Sequence, residues 1–193
     1  MKLKLLTLAL LLTSNMSFAY SIEDVQKDLP AFTFVTKERF TDFGINFTEK
    51  SGTILELKGP TPNHTLYFEI FDRSNGLKNA VVTYEHVGGK RRFYEKILLV
   101  DGSSSRPVLS YRKLTEFRQE PGKLAEGLVF VIGTNKADLN KVNLENTHSD
   151  LAAWKQAKGF ALVNKKGDRT DFKIADGVEY AKIMSAMEKF LEK

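Results

Sequence analysis

Short runs of alternating apolar and polar residues recur through the first half of the chain, most of them bounded by Gly, Pro, Asn or Asp. Successive side chains of a strand point to opposite faces, so this period of two predicts strands buried on one side. Phe32-Thr33-Phe34-Val35-Thr36 reads this way, as does Ile45-Asn46-Phe47 after Gly44. Ile54–Lys58 ends at the turn Gly59-Pro60-Thr61-Pro62-Asn63, Leu66–Phe71 at Asp72–Gly76, and Val81–Val87 at Gly88-Gly89. Phe93–Val100, Val108–Leu114 and Leu128–Ile132 extend the series. The last of these is apolar on both faces, which predicts a central, fully covered strand. Even spacing of short strands predicts antiparallel hairpins arranged as a meander.

The pattern changes after Gly133. Thr147-His148-Ser149-Asp150 has the form of a helix cap and precedes Leu151–Ala157, which predicts a helix near 148–158 stopped by Gly159. Phe160–Val163 and Phe172–Ile174 flank the turn Lys165-Lys166-Gly167-Asp168 and predict a hairpin. Asp176, with Glu179 three residues on, caps a final helix on which Tyr180, Ile183, Met184, Met187, Phe190 and Leu191 form one apolar stripe. A short N-terminal helix begins at Ser21, with Glu23 and Asp24 in its first turn. The expected architecture is one α+β domain over residues 20–193, mainly antiparallel sheet, with the C-terminal helix packed on it.

Met1–Ala19 stands outside that pattern. Two lysines, an apolar run from Leu5 to Leu12 and the close Ser17-Phe18-Ala19 predict a secretory signal peptide cleaved near Ala19. The apolar run is about half of the ~20 residues that a membrane span needs. The short two-lysine start is of bacterial kind, so the expected location is periplasmic or extracellular. No later segment approaches spanning length.

Composition narrows the chemistry. Of 193 residues, 42% are hydrophobic and 11% aromatic, which excludes a disordered chain. The absence of cysteine excludes a disulfide framework, thiolate metal sites and thiol catalysis. Three histidines, His64, His86 and His148, have no metal-ligand spacing, and no metal site is expected. Ser103, Ser104 and Ser105 lie outside any nucleophile elbow, and Asp168-Arg169-Thr170-Asp171 reads as a polar hairpin loop. Phosphate loops and dinucleotide fingerprints are missing from the sequence, so no cofactor is implied.

Charge is distributed unevenly. The formal net charge is +5, and loss of Lys2 and Lys4 with the leader lowers it to +3. Tyr20–Gly89 carries a net −3, Lys90–Lys123 a net +5 and Leu124–Lys193 a net +1. The basic segment interleaves Lys90, Arg91, Arg92, Arg106 and Arg112 with Phe93, Tyr94, Tyr111 and Phe117. Arginine forms bidentate bonds with carboxylate or phosphate, so Lys90, Arg91, Arg92, Arg106, Tyr111 and Arg112 are the candidate ligand-binding residues.

These features favour an exported, non-catalytic binding protein whose partner is an anionic glycan, a lipid headgroup or an acidic protein surface. Nucleic acid fits poorly, because +3 is weak for a phosphate-backbone binder. The 14 phenylalanines, five of them between Phe32 and Phe47, support a second reading, a carrier or sensor of an apolar or lipidic ligand in a Phe-lined cavity. A third is a hydrolase with a scattered site around His86 or His148.

Overall fold

The structure is a computed structural model that describes residues 20–40, 44, 46–100, 105–108, 112–113, 124–135 and 151–192. The expected leader Met1–Ala19 lies outside the described residues, as do Tyr111, His148 and Ser103–Ser104. In chain order the elements are α1 (Ile22–Asp28), β1 (Val35–Phe40), β2 (Asn46–Lys58), β3 (His64–Arg73), β4 (Lys78–Val87), β5 (Tyr94–Val100), β6 (Ser105–Val108), β7 (Arg112–Lys113), β8 (Leu124–Thr134), α2 (Leu151–Gln156), β9 (Gly159–Asn164), β10 (Arg169–Lys173) and α3 (Gly177–Leu191).

The strands form two antiparallel sheets, and the whole is one α+β domain with the C-terminal helix packed on sheet, as the patterning predicts. The first sheet has the order β1-β2-β3-β4-β8-β7, and the second β10-β9-β5-β6. β1 to β4 are the expected meander. The chain then leaves the first sheet through Gly88–Phe93 to start the second as β5.

Several strand boundaries differ from the expectation. Phe32 and Phe34 precede β1, whose own residues are mostly exposed. Phe32 is buried against Gly52 of β2, where an added Cβ would lie 2.6 Å from its ring and would also strike the Thr33 carbonyl. The separate strands expected at Ile45–Phe47 and Ile54–Lys58 are one strand, β2. A bulge at Ile54 re-phases it, so that both Gly52 and Leu55 stand opposite inward-facing residues of β3 (Ile70 and Phe68). Val108–Leu114 does not form one strand. Ser105–Val108 pairs with β5, whereas Arg112–Lys113 pairs with β8 in the other sheet. β8 is next to last in its sheet, and within the apolar run Leu128, Phe130 and Ile132 are buried, while Val129 and Val131 are half-buried. The helix expected near 148–158 is present as Leu151–Gln156.

The register stacks the core in rows. Leu57, Leu66, Tyr84 and Leu128 align across β2, β3, β4 and β8, and Leu55, Phe68, Val82 and Phe130 form the next row. In the second sheet Ile97 stands opposite Leu162, and Leu99 opposite Phe160. Ile22 and Val25 of α1, Trp154 of α2 and the α3 residues Tyr180, Ile183, Met184, Met187 and Phe190 complete the same cluster. The N-termini of α1 and α3 are both capped by side chains. Ser21 and Asp24 close a reciprocal capping box on α1, and Asp176 Oδ1 accepts from the Val178 and Glu179 amides at the start of α3. No helix among the described residues is long and apolar enough to cross a membrane.

Phe68 joins the layers. Its ring lies 5.3 Å from Phe160, 6.0 Å from Trp154 and 6.3 Å from Tyr180, so β3, β9, α2 and α3 meet at one side chain. Phe68→Ala is expected to cost about 3–5 kcal/mol in urea unfolding, against about 1 kcal/mol for removing the α3 cap with Asp176→Ala. Equal effects would contradict a single shared core.

Candidate functional site

The two sheets meet at one end, and the residues there are set by register. His64 opens β3 and stands directly opposite His86 of β4, which in turn stands opposite Glu126 of β8. The imidazoles of this cross-strand pair stack with centroids 4.1 Å apart and planes 12° from parallel, and both rings are buried. In the second sheet Asn164, the last residue of β9, stands opposite Tyr94, the first of β5. The segment that links β4 to β5 must pass between these two ends.

That segment is held tightly. Gly88 and Gly89 both take φ +74°, a region open to glycine, and turn the chain out of β4. Phe93 takes φ +57° without being glycine, which costs about 1–3 kcal/mol. The bonds around it offset that strain. The Glu126 carboxylate accepts the Arg92 amide at 3.0 Å and the Tyr94 amide at 2.7 Å, straddling Phe93. Asn164 Nδ2 donates to the Arg92 carbonyl at 2.6 Å. The Tyr94 hydroxyl is bonded to Thr170 of β10. The Phe93 ring, with its backbone fixed on both sides, is 64% exposed.

Asn164 also shapes the β9–β10 turn. Its Oδ1 accepts from the Lys166 and Asp168 amides, both at 2.9 Å, and its Nδ2 reaches Asp168 Oδ2 at 2.8 Å. One buried amide side chain therefore organises the Lys165-Lys166 turn and ties it to the Arg92 backbone.

Between these segments lies a cleft of 760 Å³, within the range of small-ligand sites. Lys90, Arg91 and Arg92 line it from one side and Lys165 and Lys166 from the other, with Phe93, Asn63 and the two histidines among the remaining walls. Among the described residues, Glu95 and Asp168 are its acidic lining residues. Glu95 pairs with Lys165 at 3.4 Å, and Asp168 is held by Asn164. Five cationic side chains against two carboxylates give the surface a positive field.

Of the residues singled out in the sequence, Lys90, Arg91 and Arg92 lie together in this cleft. Arg106 is opposite Leu99, at the far end of β5, and Arg112 is opposite Val129 on β7 and β8. Sequence reasoning missed Lys165, Lys166, Asn164, Glu126 and His64 as parts of one site. In the sequence the lysines read as an ordinary turn. Their one local signal is Asn164 ahead of Gly167-Asp168, the composition of a turn organised by an Asn side chain.

His64 and His86 face inward. His64 Nδ1 is 2.7 Å from the Tyr84 hydroxyl, which is wholly buried. The Thr61 hydroxyl donates to Asn63 Oδ1, leaving Asn63 Nδ2 to donate to His86 Nε2 at 3.4 Å. Neutral His86 then carries its proton on Nδ1, which is buried without a partner among the described residues. Burial holds the His64 imidazole below its usual range, and His86 and Arg92 add to the effect. Burial does the same for His86, with Arg92 reinforcing and Glu126 opposing. Both rings are therefore neutral at pH 7 and add no charge there. The described residues contain no group of three or more His, Asp or Glu able to hold a metal.

These shifts make stability depend on pH. Both folded-state values lie below 6.5, so as pH falls the unfolded chain takes up the protons first. The stabilisation is complete above about pH 6.5 and is lost below it. Denaturant unfolding at about pH 7.5 and about pH 5 is expected to show a steeper loss for the wild type than for the His64→Gln/His86→Gln variant. Parallel losses would contradict the assignment. No protein-family model, curated protein or solved structure matches this chain, so the cleft is understood from its own geometry.

Proposed function

We propose that the chain is an exported, non-catalytic binding protein that holds an anionic ligand in the cleft at the junction of its sheets. The observation that carries this reading is the convergence of Lys90-Arg91-Arg92 with Lys165-Lys166, two segments more than seventy residues apart, on one concave surface. A tie through Asn164 to the Arg92 backbone fixes their spacing. Pre-positioned cations avoid part of the ordering cost of binding, and guanidinium groups match carboxylate and phosphate geometry.

A concave site favours a small or chain-like anion over a flat protein surface. The apolar-carrier reading draws less support. Phe68, Phe130, Phe160, Phe172 and Phe190 belong to the packed core, and the cleft is rimmed by charge. For the hydrolase reading, His64 has a hydroxyl within reach, but it belongs to the wholly buried Tyr84. Burial pushes that hydroxyl above its ordinary range, which suits a positioning bond and not a nucleophile.

Salt elution from immobilised heparin, used as a sulfated-glycan probe, tests the reading. Arg91→Glu/Arg92→Glu and Lys165→Glu/Lys166→Glu should each elute at clearly lower salt than wild type, with circular dichroism unchanged. The matched reversal Lys182→Glu/Lys189→Glu on α3 should elute close to wild type. Equal effects of all three reversals would mean that net charge alone governs capture, and the cleft would lose its role.

A further inference from the structure

We infer that the anion held in this cleft is a ring-bearing acidic glycan, and that Phe93 is the platform on which a sugar ring stacks. The inference rests on the anion-binding reading above and adds a ligand class to it. Three observations carry it. Phe93 keeps a left-handed backbone although every residue but glycine resists it. Neighbouring groups, Glu126 on both flanking amides and Asn164 on the preceding carbonyl, enforce that backbone. The result is an aromatic residue 64% exposed to solvent at the wall of a cationic cleft. Local strain retained by surrounding bonds is the pattern expected of a residue kept for what it contacts.

The rest of the lining has matching chemistry. A pyranose presents an apolar face of C–H groups, ring-edge hydroxyls and, in an acidic glycan, a carboxylate, sulfate or phosphate. The phenyl ring offers a flat apolar surface to the first. Asn63 and Thr61 at the cleft walls offer amide and hydroxyl partners to the second. Arg91, Arg92 and the lysines answer the third. A simple inorganic anion would use only the cations and leave Phe93 without a role. An exposed aromatic beside basic residues also suits an acidic bilayer, but Phe93 lines a concavity that also offers polar walls to a glycan.

Charge-matched probes separate these cases. Trigalacturonate carries three carboxylates on rings, tricarballylate carries three on an acyclic chain, and maltotriose has rings without charge. Calorimetric titration of the full mature chain should give tightest binding to trigalacturonate, with tricarballylate about tenfold weaker and maltotriose weaker still. Phe93→Ala should lose that tenfold preference while binding tricarballylate as wild type does. Phe93→Gly removes the ring and relieves the backbone, so it should keep or raise the melting temperature and lose the same preference. Arg91→Glu/Arg92→Glu should weaken both anions together.

Equal affinity for the two anions, unaffected by either Phe93 variant, would overturn the platform and leave the anion site standing. Failure of wild type to bind either anion would overturn both. Tighter capture by phosphatidylserine-containing vesicles than by trigalacturonate, lost in Phe93→Ala, would replace the glycan with a membrane surface. A fall in melting temperature for Phe93→Gly would mark Phe93 as a packing residue and end the proposal.

Discussion

The Glu126 carboxylate accepts two backbone amides at once, and the cleft end of this protein depends on that arrangement. Glu126 belongs to the first sheet, while the amides it holds begin the second. A charged acceptor makes these bonds stronger than neutral ones, and two together fix direction as well as distance. They join the two sheets by hydrogen bonds at this end, beside the apolar core that both sheets share. They also hold Phe93 in a backbone conformation that the residue would not choose by itself.

The rest of the site follows from that clamp. The segment leaving β4 carries the densest basic run in the chain, and its path decides where Lys90, Arg91 and Arg92 are presented. Asn164 repeats the logic from the other side, ordering its own turn and gripping the Arg92 carbonyl. The cations are thereby assembled by uncharged or acidic groups that stay behind them. Below lies the neutral His64–His86 stack, so the field at pH 7 comes from lysine and arginine alone.

Much of the fold was legible because its signals are local. Leu66, Phe68 and Ile70 recur on one face of β3 and Val82, Tyr84 and His86 on one face of β4, and Ser21 and Asp176 cap helices where their side chains stand ahead of apolar stripes. What escaped was set by partners distant in sequence. Nothing around Ile54 announces the bulge that lets one long strand replace two short ones. Val108–Leu114 reads as continuous because both halves are apolar enough, yet they serve different sheets. For the site, Lys90-Arg91-Arg92 is conspicuous as a basic cluster. Lys165 and Lys166 join it only through the pairing of β5 with β9, and Glu126 only through the pairing of β4 with β8. A lone Glu in a Gly-rich strand and an Asn before a turn have no local mark of their roles.

The clamp itself is the most direct thing to measure. Amide hydrogen exchange at Arg92 and Tyr94 should be slow in the wild-type chain, although both flank an exposed loop residue. In Glu126→Gln, which keeps the shape but loses the charge, the two amides should exchange faster, while core amides such as Phe68 keep their protection. Exchange at Arg92 and Tyr94 as fast as in the neighbouring exposed loop, in the wild type itself, would contradict the account.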